Sequence, residues 1–478
     1  MPSSRALGQA TSIALLRVLV SLSCWWSGFR AVSDDDYSRV VIAARFAHHP
    51  SLDPSGTSWL PLPFWLYGVP MALFGDSLFV ARAVAVLLGA ASSVLVWQAA
   101  KLLGFSERAA LWGALGAVLL PYGAWLSAAT VPEAPSAALL LFGSVSLVRP
   151  EAKLRAWGGL ALGAACFCRY EAWAPALVFA LLTALDARRT RQRTLGLAAV
   201  LATLPIALWL LHGLVRHGDA LFFVARVQQY RAALGGPTQG WLSALWQTPF
   251  SILRFEPELF AVTAVALALS LREGQSPFGP LAWRPLGALG ALVLFLITAD
   301  ATGGSATHHP ERSLLPVFWF LALLAAGLVA RFADEDERPW RLPVLALPLA
   351  LAASLLLRPD VRGTFGDRRE EEQVGGVLRR LGARSVVLDT DDFGFFAVQA
   401  ALGDGKSLPL DDHDPRHAQE PQPRTTAALA ARLRRDGAEW LVTPRRRCPL
   451  AASLGHVRLT TPRFNVLELE PHLLEAAR

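Results

Sequence analysis

About eleven apolar runs, joined by short polar links, constrain this chain of 478 residues more than anything else in it. They begin at Ala10–Phe29 and Ser77–Ala100. They continue as Ala109–Trp125, Pro135–Val148, Trp157–Cys168, Trp173–Leu185, Leu195–Leu214, Leu259–Leu271, Leu286–Thr298, Leu314–Ala330 and Leu342–Leu357. They are too many and too long for one buried core, so the chain is read as a multi-pass membrane protein. Composition agrees: only 17% of residues are charged and the mean hydropathy is +0.37, against about 25% charge in a soluble domain. Sixteen Trp suit the belts at a membrane–water interface.

The net charge is +7, but the Arg residues fall between the spans instead of forming one basic face, so no nucleic-acid partner is expected. Four Cys imply no disulfide framework. The opening apolar run carries Arg17 and has no convincing small-residue cleavage site before Cys24-Trp25-Trp26, so it reads as a span.

Basic residues orient the spans. Lys101 and Arg108, then Arg149, Lys153 and Arg155, then Arg188 to Arg193, then Arg272 and Arg284, then Arg331 to Arg341 occupy alternate links. That side is read as cytoplasmic. The opposite links carry the unusual polar clusters: Ser33-Asp34-Asp35-Asp36-Tyr37, Glu133, Arg169-Tyr170-Glu171, and His308-His309-Pro310-Glu311-Arg312. Chemistry is therefore expected on the outer face. Three adjacent Asp alone would read as a solvated loop. Here they stand between an apolar run and an amphipathic segment, Tyr37–Ala47, which makes them a functional candidate. His308 and His309 could ligate a metal but lack a clear third ligand.

After about Arg358 the character changes. Glu370–Leu381 and Thr425–Arg435 read as helices, and Arg384–Leu388, Ala438–Thr443, His456–Leu459 and Val466–Leu469 as strands. The expected organisation is an all-α polytopic membrane domain over residues 1–357 and a small extracytoplasmic α/β domain over 358–478. The α/β domain has no Gly-rich phosphate loop. Asp389, Asp391 and Asp392 follow a strand and read as an ordinary acidic loop or a metal site.

Together these motifs resemble the polytopic glycosyltransferases of the GT-C superfamily. The likeness is to the dolichyl-phosphate-mannose protein mannosyltransferase-like and aminoarabinose-transferase-like branch. An acidic pair and Tyr open the first outer loop (Asp34, Asp35, Tyr37). An aromatic, Pro-containing segment leads into the next span (Trp59 to Trp65). Glu133 sits in Thr-Val-Pro-Glu-Ala-Pro, Arg169-Tyr170-Glu171 lies between two short spans, and Arg312 precedes Ser-Leu-Leu-Pro316. Each motif is weak; their order carries the likeness, over most of residues 1–357.

The resemblance implies a bacterial inner-membrane enzyme. It takes a sugar from a polyprenyl-phosphate donor and passes it to a glycan, lipid or protein acceptor at the outer face. Asp34 or Asp35 would be the general base and Glu133 a second acid. Arg169, Arg312, His309 and Tyr37 would meet the donor phosphate. No cofactor is firmly implied; Asp34, Asp35 and Glu133 could support a divalent cation, yet no ligand spacing demands one. One departure stands out. The aminoarabinose transferases carry Lys-Pro-Pro before the second span, where this chain has Trp59-Leu60-Pro61. Two other classes fit many spans: a transporter or flippase for lipid-linked saccharides, and a non-catalytic envelope assembly protein. A transporter would place charges and helix breaks at mid-depth.

Overall fold

The structure, a computed structural model, describes residues 4–233, 240–272, 283–303, 310–335, 367–403, 406–414, 416 and 423–476. The expected span Leu342–Leu357 and the pair His308-His309 lie outside these residues. Contacts divide the chain into two units. One comprises Met1–Phe29, Ser55–Pro63 and Ala85–Val361; the other comprises Arg30–Pro54, Phe64–Val84 and Arg362–Arg478.

Among the described residues the first unit holds helices and no strand. The helices Ser4–Trp26, Leu78–Leu102, Arg193–His217 and Trp283–Ala301 are long and apolar enough to cross a bilayer. The pair Glu107–Leu119 and Pro121–Ala128, bent by 71°, makes a fifth if taken as one broken span. Shorter apolar helices include Glu133–Val148, Pro257–Ala268 and Leu315–Ala330. Their polarity is inverted relative to a soluble helix. Arg193–His217 exposes Leu197, Val200, Leu204, Leu208 and Leu211 and buries Ala198, Ala202 and Gly213. Small residues let backbones approach, and most of the large ones face outward, with Leu195, Ile206 and Trp209 buried beside the small residues. Gly159 and Gly163 lie directly against the backbone carbonyls of Ala198 and Leu201, where no Cβ has room.

The bend after Leu119 has an identifiable cause. Pro121 has no N–H, so the carbonyl of Ala117 loses its helical donor. Arg17 supplies the substitute. Its guanidinium, 1% exposed, donates to the Ala117 carbonyl at 3.4 Å, the Gly123 carbonyl at 3.5 Å and Ser93 Oγ at 3.0 Å. The charge that weakens the first apolar run thus caps a broken helix from inside the bundle.

The second unit contains a five-stranded sheet: β1 (Ser385–Leu388), β2 (Lys406–Pro409), β3 (Trp440–Pro444), β4 (Gly455–Thr460) and β5 (Phe464–Leu469), in order β2-β1-β3-β5-β4. β1 runs parallel to β2 and β3, and β5 antiparallel to β3 and β4. The parallel pairs are joined through helices Phe395–Leu402 and Thr426–Arg435, as parallel strands require. Alternation sorts the two faces. Val386, Leu388 and Val442 pack with Val374, Leu378 and Phe395, whereas Val387 and Leu441 pack with Leu429 and Leu433. The helix Arg369–Arg380 covers the first face. Its Gly375 lies against the Val398 carbonyl of helix Phe395–Leu402. The first-loop helix, Asp34–His48, belongs to this unit, as does most of helix Leu62–Phe74. All four strands read from sequence are present; helix Phe395–Leu402 and β2 are additions.

Candidate active site

The sequence candidates fall into two clusters, one in each unit. In the first unit, three motifs far apart in sequence meet around Arg169. This residue is extended (φ −152°, ψ 141°) between helices Ala152–Cys166 and Trp173–Thr190. Its Nη1 donates to Glu133 Oε1 at 2.8 Å and its Nη2 to Ser313 Oγ at 3.1 Å. Its Nε donates to Glu171. Glu133 opens helix Glu133–Val145 and is 4% exposed. Its carboxylate at a helix N-terminus is favoured by the helix dipole, and its burial requires the arginine.

Next to Arg169, Tyr170 is fixed through both its hydroxyl and its ring. The hydroxyl donates to the Ser58 carbonyl at 2.8 Å and accepts from Trp209 Nε1 at 3.0 Å. The ring stacks on Phe223 at 4.3 Å between centroids. A geometrically held neighbour is what keeps an arginine pre-oriented.

Arg312 is buried, and together with Glu311 and Glu133 it acts electrostatically on the Tyr122 hydroxyl. Tyr122 follows the Pro121 bend. Its hydroxyl donates to Glu311 Oε1 at 3.3 Å and its backbone N–H to Glu256 Oε1 at 3.2 Å. Tyr122 and Glu256 were not singled out in the sequence; the signal for Tyr122 was the preceding proline. A cavity of about 570 Å³ runs along helix Glu107–Leu119, lined by Ala109, Trp112, Gly116, Leu120, Val262 and Ala322. Its Leu120 end lies two residues from Tyr122.

In the second unit, the three aspartates have three different environments. Asp36, 2% exposed, accepts from the backbone N–H groups of Val32 at 3.0 Å and Ser33 at 3.2 Å. It caps the first-loop helix and is structural. Asp35 is exposed, and its carboxylate has no hydrogen-bond partner among the described residues. Asp34 is half-buried and is gripped by Arg368, which donates Nε to Oδ1 at 2.8 Å and Nη2 to Oδ2 at 2.9 Å. Arg368 also donates Nη1 to both oxygens of Asp392, at 2.9 and 3.0 Å, and to Glu371 Oε1 at 3.1 Å.

Tyr37, 1% exposed, donates its hydroxyl to Glu372 Oε1 at 2.6 Å, and Arg82 Nη1 donates to Glu372 Oε2 at 3.0 Å. Burial and the Glu372 carboxylate both push the Tyr37 phenol upward, keeping it a neutral donor. Burial pushes the Glu371 carboxyl up, although Arg463 and Arg368 oppose it. Burial also acts to raise Asp392, but the Gly394 N–H and Arg368 outweigh it and hold the carboxyl below its ordinary value. None of Arg368, Glu372 or Arg82 was marked by a motif.

Among the described residues of the α/β domain, Asp389 and Asp391 are taken up by protein groups. Asp389 accepts from Thr443 Oγ1 at 2.9 Å and from Arg447, and Asp391 accepts from Arg446 Nη2 at 2.6 Å and Arg447 Nη2 at 2.7 Å.

Comparison with known proteins follows the same lines. Residues 48–212 match the family model described as dolichyl-phosphate-mannose-protein mannosyltransferase. The fold is similar to the crystal structure of ArnT from Cupriavidus metallidurans bound to undecaprenyl phosphate, with TM-score 0.63 and 15% identity over 99% of each chain. It is similar to the apo state of the same protein with TM-score 0.58 and 15% identity, over 97% of this chain and 99% of that one. No curated protein sequence matches the chain.

Proposed function

We propose that this chain, similar over residues 48–212 to the protein mannosyltransferases and in fold to ArnT, is an integral membrane glycosyltransferase of the GT-C type. The chain transfers a sugar from an undecaprenyl- or dolichyl-type phosphate carrier to an acceptor hydroxyl at the outer membrane face. The observation that carries this reading is the meeting of Glu133, Arg169 and Ser313 from three separate links. A cluster that joins guanidinium and carboxylate groups at helix ends is suited to a phosphate sugar, since the arginines hold the anionic leaving group.

The acceptor oxygen attacks the anomeric carbon, and its proton passes to Asp34. The bond from that carbon to the phosphate oxygen breaks, and the electron pair leaves with the lipid phosphate, stabilised by Arg169 and Arg312. The prenyl chain occupies the 570 Å³ cavity along helix Glu107–Leu119. Asp35, exposed and without a partner among the described residues, is the other candidate for the base.

The test is transfer of labelled sugar from a polyprenyl-phosphate donor by the purified protein in detergent. Asp34→Asn should abolish turnover while insertion and folding persist; unchanged turnover removes Asp34 as base. Ala322→Phe should raise the donor KM by about tenfold without changing kcat, because it fills the cavity. Orientation is tested separately. A compartment-sensitive reporter fused after Arg478 should be active only outside the cytosol.

A transporter for lipid-linked saccharides is the competing class. Arg17 and the Pro121 break are the mid-helix features it calls for. Each satisfies the other, however, so neither is left to bind a moving substrate.

A further inference from the structure

We propose that Arg368, from the C-terminal region, is the positioning residue for the catalytic carboxylate of Asp34. The α/β domain thereby completes the first-loop site. This inference rests on Asp34 being the base.

The geometry is that of a fork on a carboxylate. Nε and Nη2 of Arg368 meet the two oxygens of Asp34 at 2.8 and 2.9 Å. Such a pair fixes both the plane and the direction of the carboxylate. Each oxygen retains a second lone pair for an acceptor hydroxyl. Arg368 is itself fixed from behind. It is 8% exposed, and its Nη1 is held by Asp392 and by Glu371, which is 0% exposed. Asp392 is in turn held by the Gly394 N–H at 2.9 Å. Arg463 Nη1 meets Glu371 at 2.9 Å.

Gly394 gives an independent sign that this packing is specific. Its backbone is ordinary right-handed helix (φ −57°, ψ −19°), which any residue can adopt. A Cβ there would nevertheless lie 2.8 Å from Arg368 Nη1, 2.9 Å from Asp392 Oδ1 and 2.9 Å from Glu371 Oε1. A side chain at this position would therefore have to push the arginine or its acids aside, whereas the backbone itself would accept any residue. Glu372, next to Glu371 in helix Arg369–Arg380, repeats the attachment, since it accepts from Tyr37 and Arg82. Residues 368 and 372 together set the face that Asp34 and Tyr37 present.

The experiment measures sugar transfer by Arg368→Gln, Arg368→Lys, Gly394→Ala and Asp34→Asn in the full-length protein, alongside thermal melting in detergent. Arg368→Gln should lower kcat by about a hundredfold, as a displaced catalytic group does, with donor KM changed by less than about twofold. Arg368→Lys should restore only part of kcat, since an ammonium cannot fork a carboxylate. Gly394→Ala should lower kcat with every charge retained. A purely structural role would lower melting temperature and active fraction while leaving kcat per folded molecule unchanged; that result overturns the proposal. So does a gain of turnover in Arg368→Gln, which would make the clamp inhibitory. If Asp34→Asn is inactive but Arg368→Gln turns over normally, only the positioning role fails. If Asp34→Asn is active, the assignment of the base fails and this inference with it.

Discussion

Arg169 and Arg368 each hold two or more carboxylates, yet the two clusters are built differently. Around Arg169 the partners are Glu133, Glu171 and Ser313, at or next to the ends of apolar helices, and Glu133 is almost fully buried. Around Arg368 the partners come from the first-loop helix and the α/β domain, and side-chain exposure is 28% for Asp34 and 48% for Asp392. The first arrangement is committed by burial: losing the cation strands acids away from water. The second lets its outer partners, Asp34 and Asp392, rehydrate, and its buried partner Glu371 keeps a second cation in Arg463. One cluster therefore contributes to whether the helical unit holds together, and the other mainly to the direction in which a carboxylate points.

Removing each arginine should separate these roles. Arg169→Ala should cost the most, about 3–5 kcal/mol of stability, because it takes a cation from the buried Glu133 carboxylate. The loss should appear as a lower melting temperature and loss of monodisperse protein in detergent. Arg368→Ala should cost much less in the same assay while losing most of its turnover. Equal destabilisation by the two would erase the distinction.

A smaller effect is expected at the bend that presents Tyr122. Arg17→Met removes the donors to the Ala117 and Gly123 carbonyls and should cost about 1–3 kcal/mol. The accompanying loss of turnover should be matched by Tyr122→Phe only if the Glu311 hydrogen bond, and not the bend, is what matters.

The smallest effect is with pH, and it bears only on the α/β side. Asp392 is held below its ordinary 3.8. Its contribution is therefore complete above that value and is lost as pH falls below it. Glu371 is held above its ordinary 4.5. Its contribution is present below 4.5 and is lost as pH rises through its raised value. On acidification from about pH 7 to about pH 3, Asp392→Asn should lose less melting temperature than the parent protein, and Glu371→Gln should lose more. The reverse order would contradict both assignments.

The helical nature of the chain and the α/β end could be read from apolar periodicity. So could Arg369–Arg380, β1, β3, β4 and β5, within a residue or two, and Asp34–His48 except for its first turn, which holds the three aspartates. β2, Lys406-Ser-Leu-Pro409, could not: it has little β preference of its own and is a strand because β1 lies beside it. The Arg169 cluster was legible because each of its residues sits in a short motif at a helix end. The Arg368 cluster was not, because its partner is 334 residues away and nothing local marks the arginine. The triplet Asp34-Asp35-Asp36 shows the same limit. Three identical side chains differ only by where the helix starts, which makes Asp36 a cap, leaves Asp35 in solvent and turns Asp34 towards the arginine.

The span from Asp34 to Arg368 also has a consequence for biosynthesis. At ribosomal rates of about 5–20 residues per second, the first-loop helix waits tens of seconds before the segment that clamps it has been made. Throughout that interval Tyr37 and Asp34 have neither Glu372 nor Arg368 to hold them. A truncated or still-growing polypeptide therefore carries the acid without the arginine that clamps it.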